Sequence, residues 1–219
     1  MSALTKADIL YEDAYLIAIN KPAGLMVEPD KFGNPNAVQQ TESLLERKPK
    51  MKAGLGVVHR LDRPVSGVLL FAKTPMALKS INEQIRNRSV KKEYTALVTG
   101  VLTGSGKWTQ SLRKSADNKR SEICEETGKG CQSAETRWKA TISSASETLL
   151  SIQLKTGRFH QIRAHCSANG HPIVGDEAYG GKAWNSGGIA LHSSRYSIFH
   201  PKTGERLTIE SQATFYLNG

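Results

Sequence analysis

The stretch His59-Arg60-Leu61-Asp62-Arg63-Pro64-Val65-Ser66-Gly67 sets one carboxylate between two arginines, just ahead of a Pro/Gly-punctuated turn. The apolar run Val68-Leu69-Leu70-Phe71-Ala72 follows at once. A carboxylate in such a loop can act as base or nucleophile. Loops carried by a rigid scaffold hold functional residues more often than core elements do. The flanking guanidiniums would keep Asp62 ionised at neutral pH, because nearby opposite charge favours the carboxylate. From this stretch alone, a structural ion pair in a turn accounts for the pattern at least as readily.

Three further segments carry chemically able side chains. In Lys92-Glu93-Tyr94-Thr95-Ala96-Leu97-Val98-Thr99-Gly100, Tyr94 reads first as a core or edge aromatic. Its phenol can also stack on a base or exchange a proton. Thr156 to His165 gathers Arg158, His160, Gln161, Arg163 and His165 around Phe159 and Ile162. On a helix Phe159, Ile162 and Cys166 would share one face, and Gln161 and His165 another. A solvated polar helix explains this equally well. Gly170-His171-Pro172-Ile173-Val174-Gly175-Asp176 is a tight loop that need do no more than close a strand.

The elements that must position these residues are legible in outline. Ile9 to Asn20 predicts two short strands around an acidic turn, and Lys21-Pro22-Ala23-Gly24 ends them. Asn36 to Glu46 predicts a helix. Gly67 to Lys73 reads as a buried strand. Thr74-Pro75 then starts a helix, with Thr as N-cap and Pro at the first helical position. Leu78, Ile81 and Ile85 share one face of it. Tyr94 to Gly100 and Thr148 to Leu154 predict strands. The Gly/Ser/Lys-rich residues 101–135 between them predict hairpins and mobile surface loops. Gly157-Arg158-Phe159 leads into a short helix through about Asn169, stopped by Gly170. Ile189 to His192 and Leu207 to Glu210 are late strands. Strands come in runs rather than in strict alternation with helices, so the expected class is α+β: a mixed, largely antiparallel sheet flanked by helices.

The whole chain narrows the partners. Thirty Lys and Arg stand against 20 Asp and Glu among 219 residues, a net charge of +10. Such a balance points to a polyanion, nucleic acid first and an anionic membrane surface second. No apolar run approaches the roughly 18 residues of a membrane span. Lys6 and Asp8 break up the first residues in a way a signal peptide would not tolerate. The three cysteines, Cys124, Cys131 and Cys166, are few and odd in number, which predicts a reducing cytoplasmic setting without a disulfide framework.

Taken together and in this order, the four segments resemble the RluA family of pseudouridine synthases over most of the chain. Lys21-Pro22-Ala23-Gly24-Leu25 is similar to that family's early lysine-proline-glycine turn. His59 to Gly67 is similar to its catalytic loop, with Asp62 at the essential aspartate. The resemblance places Tyr94 at the active-site tyrosine and Arg163 at the basic residue that pairs with the aspartate. Leu191 falls on the apolar residue lining the pocket. Val65 stands where the family often has Thr, so a hydroxyl is missing there.

What the resemblance implies is isomerisation of uridine to pseudouridine in structured ribosomal or transfer RNA, in a cleft across the sheet. Asp62 would attack C1′ or take a proton from C2′. Arg60 would fill the place of a flipped base. His59, Arg158, His160, Gln161 and Leu191 would contact the RNA. Arg86, Arg88, Lys91, Lys92, Arg113, Lys114, Lys119 and Arg120 are candidates for phosphate. No cofactor is implied. About 20 residues precede the Lys21 turn, so residues 1–219 are expected to form one catalytic domain without a separate N-terminal RNA-binding domain, acting as a cytoplasmic monomer and away from membranes.

Two rivals keep a place beside this. His160, His165, Cys166 and His171 lie close in sequence, but their spacing matches no familiar zinc pattern, and Cys124 and Cys131 lack a second pair. A non-catalytic RNA-binding or ribosome-assembly protein on the same fold is the other. Serine hydrolysis through Ser66 lacks the Gly-x-Ser-x-Gly elbow.

Overall fold

The computed structural model describes residues 3–45, 54–117, 119–125, 128–184 and 188–217. Two compact units emerge, Met1–Lys91 with His192–Ala213, and Lys92–Leu191 with Thr214–Gly219.

The first unit is built around β4 (Ser66–Ala72), the apolar run noted in the sequence. Val68 to Ala72 are fully buried, as expected of a strand covered on both faces. β2 (Leu16–Lys21) lies antiparallel along one edge of β4, with Leu16 opposite Ala72 and Lys21 opposite Gly67. On its other edge, the start of β4 pairs in parallel with β10 (Leu191–Phe199), His192 opposite Ser66. The end of β4 pairs with the two-residue β3 (Gly56–Val57). β1 (Ile9–Glu12) closes a hairpin on β2, and β11 (Arg206–Glu210) one on β10. The acidic turn between β1 and β2 is made by Asp13, whose Oδ1 accepts from the Tyr15 and Leu16 amides at 2.8 and 2.7 Å; this is the local bonding that suits Asp to turns.

Both helices predicted in this unit are present. α1 (Ala37–Leu44) is capped by Asn36, which accepts from the Gln39 amide at 3.0 Å. Glu46, the expected end, lies outside the described residues. α2 (Pro75–Arg86) has Thr74 as N-cap, accepting from the Ala77 amide. Its Ala77 and Ile81 join Leu16, Val68, Leu70, Tyr196 and Ile198 in the core, with Leu78 and Ile85 packed at the margin.

The second unit is an antiparallel sheet in the order β5-β9-β8-β6-β7, formed by β5 (Lys91–Thr99), β6 (Ser105–Lys114), β7 (Ser121–Cys124), β8 (Gln132–Ser143) and β9 (Glu147–Leu154). α3 (Gln161–Ala168) is stopped as expected, with Gly170 at φ +80° beyond its cap. The α+β class is thus present, a mixed sheet in one unit and an antiparallel one in the other.

Three expectations are corrected here. The hairpins expected within residues 101–135 are present, but β6, β7 and the start of β8 put more of the described residues there into ladder than into loop. Trp108 and Leu112 of β6 and Ala134 and Thr136 of β8 are buried, while Lys107, Thr109, Arg113 and Arg137 are exposed. With one face wet and the other mixing Trp108 and Leu112 with Ala134 and Thr136, the apolar content falls and the period of two is easily missed. The short helix is not solvated either, since Gln161 to Cys166 are all buried. Phe159 lies ahead of it, not on the face of Ile162 and Cys166. Finally, Cys124 and Cys131 are joined by a disulfide; the turn between β7 and β8 brings their Cα atoms to 6.2 Å. Among the described residues, no helix is long and apolar enough to cross a membrane.

Candidate active site

In the first unit the Asp62 loop is tied down at both ends. At its entry His59 stacks on Tyr196, ring centroids 4.3 Å apart, and its Nε2 accepts from the Leu70 amide of β4. At its exit the Ser66 hydroxyl meets His192 Nδ1 at 2.8 Å; His192 Nε2 meets Ser211 Oγ, which donates to Asn20 Oδ1. Since Ser211 gives its proton to Asn20, it accepts from His192, and Nδ1 is left to accept from Ser66. Gly67 follows with φ +108°. A Cβ there would collide with the backbone of Ser193, so only glycine lets β4 meet β10 this closely. Between the two ends the Asp62 carbonyl accepts from the Val65 amide, a tight turn with Leu61 and Val65 buried beneath it and Asp62 half-buried.

The arginines beside Asp62 make their hydrogen bonds to other groups. Arg60 pairs with Glu28 at 3.2 Å on the surface. Arg63 directs Nε to the Gly24 carbonyl. A cation that acts on Asp62 is instead Lys21, which the sequence offered only as part of a turn. It is fully buried. Its ammonium group donates to the carbonyls of Pro22, Leu25 and Arg63 at 2.9, 2.9 and 3.3 Å. Burial pulls its pKa down to about 7, and attraction to Asp62 opposes that pull. With the Gly24 amide donating to the Arg63 carbonyl at 2.7 Å, Lys21 stitches the Lys-Pro turn to the aspartate loop. A Lys-Pro pair ending a strand was the signal that could have found it.

In the second unit, Tyr94 sits on β5 opposite Ile152 of β9 and is nearly buried. Arg163, on α3, is buried and forms a two-pronged pair with Asp176, Nε to Oδ2 at 2.7 Å and Nη2 to Oδ1 at 2.8 Å. The planar fork fits a carboxylate in this way. Its Nη1 donates to His160 Nε2 at 3.0 Å, and its guanidinium lies over the Tyr179 ring. His160 Nδ1 in turn meets the Tyr179 hydroxyl, which accepts from the Ser121 amide. Burial first, and then Arg163, lower the His160 pKa to about 4, so the imidazole is neutral and accepts from arginine. Asp176 is held by the Gly170–Asp176 loop, which runs beside β5 through the Thr99 to Pro172 and Val174 to Leu97 bonds. Asp176 and Tyr179 are thus site residues whose roles the sequence did not give, although the loop itself stood out.

The remaining candidates divide. Gln161, expected to face RNA, is buried. Its Oε1 accepts from Thr156 and the Arg158 amide, and its Nε2 donates to the Glu135 carbonyl and Thr136. All four of its bonding positions are used: two fasten α3 to β8, and two hold the Thr156–Arg158 segment ahead of the helix. Arg158 holds the Ser133 carbonyl through Nε. Leu191 is buried at the start of β10. His165 bonds Thr136, His171 bonds the Thr99 carbonyl and Cys166 is buried. Among the described residues, no group of three or more His, Cys, Asp or Glu is arranged to hold a metal ion.

Comparison with known proteins adds the family. A model of the RNA pseudouridylate synthase family matches residues 15–168. The chain is 38% identical over 216 residues to an uncharacterized RNA pseudouridine synthase of Synechocystis sp., covering 92% of this chain and 64% of that protein. It is 36% identical to ribosomal large subunit pseudouridine synthase C of Buchnera aphidicola, over 95% of this chain and 68% of the relative. It is 42% identical to ribosomal large subunit pseudouridine synthase D of Xylella fastidiosa, over 80% and 52%. The chain therefore spans about half to two thirds of the length of these relatives. The solved structure of human RNA pseudouridylate synthase domain containing 4 shares the fold, with a TM-score of 0.75 at 24% identity over 94% of this chain and 88% of that one. The order of motifs from Lys21-Pro22 to His165 falls within the match over residues 15–168: this chain belongs to the RNA pseudouridylate synthase family.

Proposed function

We propose that the chain isomerises uridines of ribosomal RNA to pseudouridine, with Asp62 as the catalytic carboxylate. The observation that carries this is a half-buried aspartate in a loop fastened at both ends, on a chain of this family. The reaction breaks the bond from C1′ to N1 of uracil, turns the base and joins C5 to C1′; C5 loses a proton and N1 ends with one. Substrate and product are isomers, so the balance calls for no oxidant, reductant or group donor. Asp62 acts at the ribose, as nucleophile at C1′ or base at C2′. Arg163, braced by Asp176, keeps it charged and oriented; a charge-assisted bond of this kind contributes about 1.5–3 kcal/mol. Tyr94 stacks on the uracil and helps to move the C5 proton, with Leu191 as an apolar wall.

A uridine in folded RNA must first leave its stack, at a cost of a few kcal/mol. Arg60 fills the gap. Its exposed pair with Glu28 is of the kind worth about 0–1 kcal/mol, so the guanidinium is readily released, and it can stack and donate together. His59 and Arg158 line the approach. Residues 1–219 act as one catalytic domain, a monomer in the cytoplasm. The names of the relatives from Buchnera and Xylella favour large-subunit ribosomal RNA over transfer RNA.

The test is to incubate unmodified transcripts of large-subunit ribosomal RNA and of transfer RNAs with the protein and map pseudouridine by carbodiimide-dependent primer stops. Stops at defined uridines of the ribosomal transcript are expected. Stops only in transfer RNA would move the substrate, and tight binding without any stop would make the chain a binding module.

A further inference from the structure

Phe159 is the one phenylalanine of the Thr156 to His165 segment, which holds no Tyr or Trp, and the function above gives it no task. It is an exposed large apolar side chain, ahead of a helix whose first six residues are buried. Its surroundings are stiff. One neighbour in the stack is His160, with ring centroids 3.7 Å apart and planes 23° apart. His160 is itself pinned by Tyr179 and Arg163 and holds a left-handed backbone, φ +49°. The Phe159 carbonyl accepts from the Ser121 hydroxyl, and Ser121 pairs with Lys114 across the β6–β7 ladder. That register delivers the Lys114 ammonium group to 5.1 Å from the centre of the Phe159 ring. Arg158 and Arg120, the residues preceding Phe159 and Ser121 in the chain, are anchored to the carbonyls of Ser133 and Ala178.

An exposed ring backed by a fixed imidazole and faced by the Lys114 ammonium group costs little to order on binding and has no core to fill. Aromatic platforms within basic grooves bind single-stranded nucleic acid by stacking, whatever the base. A neutral His160 leaves the stack without a charge that would draw water.

Building on the RNA reading above, we propose that Phe159 is a stacking platform for an unpaired nucleobase of the RNA substrate, outside the uridine being isomerised. Lys114 covers the ring in the free protein, moves aside when the base stacks, and takes the adjoining phosphate. The contact positions RNA and makes no bond to the reacting atoms.

The test compares two fluorescent 12-mers of equal charge, oligoadenylate and an abasic ribose-phosphate strand. Wild type should bind the adenylate strand about tenfold more tightly or better, the yield of one stacked base. Phe159→Ala should lose most of that preference while binding the abasic strand as wild type does, and Phe159→Tyr should keep it. Lys114→Ala should weaken both strands and reduce the salt slope by about 0.7. Equal preference in wild type and Phe159→Ala, with matching circular dichroism and melting, would overturn the proposal, as would no preference in wild type. Pseudouridine formation is scored separately: if it persists while the preference is absent, the platform fails alone, and if both are absent the RNA reading fails with it.

Discussion

At the scale of single residues, the site rests on a lysine and a carboxylate that sequence order keeps apart. Lys21 and Asp62 are 41 positions distant in the chain, yet the Lys21 ammonium group holds the Arg63 carbonyl and acts on the Asp62 charge. Burial brings Lys21 from an ordinary 10.5 to about 7. Between those values the unfolded chain binds a proton that the folded chain does not, so this residue makes stability rise with pH across that window and adds no pH dependence below it. Lys92, lowered by burial as well, acts in the same direction. Urea unfolding at about pH 7 and about pH 9.5 should therefore show a smaller rise for Lys21→Met than for wild type. The variant should also lose about 1–3 kcal/mol at pH 7, having left buried carbonyls without a donor. An unchanged rise would mean that Lys21 stays charged through the window.

Among the elements, β4 determines most. Its apolar run fixes the strand, and the turn ahead of it fixes Asp62. Gly67 joins the two by allowing the close approach to Ser193 at φ +108°. Gly67→Ala should cost at least about 2 kcal/mol, from the positive φ and the collision together. It should also loosen the Ser66 to His192 contact next to it. Chemical denaturation checks this, and a loss under about 0.5 kcal/mol would show that the backbone there can relax.

These elements also show what a sequence can and cannot tell. Strands with continuous apolar runs and helices with Thr74-Pro75 or Asn36 at their starts are local statements, and they are legible. β6 and β8 are not, because their buried face interrupts Trp108 and Leu112 with Ala134 and Thr136 rather than running as a string of large apolar residues, and their other face is wet. Partners across the chain are likewise illegible. Nothing in the local order tells that Arg60 turns to Glu28, that Arg63 serves Gly24, or that Asp176 is the carboxylate that braces Arg163. Gln161 fails for the opposite reason: a polar residue in a polar run reads as surface, whereas four hydrogen bonds make it core.

For the whole molecule, a net charge of +10 suits a polyanionic partner, and on the RNA reading proposed above it chooses no uridine, so the choice must come from the site and the shape of its substrate. The family match covers residues 15–168, but catalysis by Asp62 is the claim on which the functional account depends. It is tested most directly by release of tritium from C5 of tritiated uridine in large-subunit ribosomal RNA, comparing wild type with Asp62→Asn after both are shown to fold and to bind the RNA. Release by wild type, with a fall of at least about a thousandfold in the variant, the scale at which losing a central catalytic group is felt, is the predicted result. Equal release by both proteins would contradict it and remove Asp62 from the chemistry.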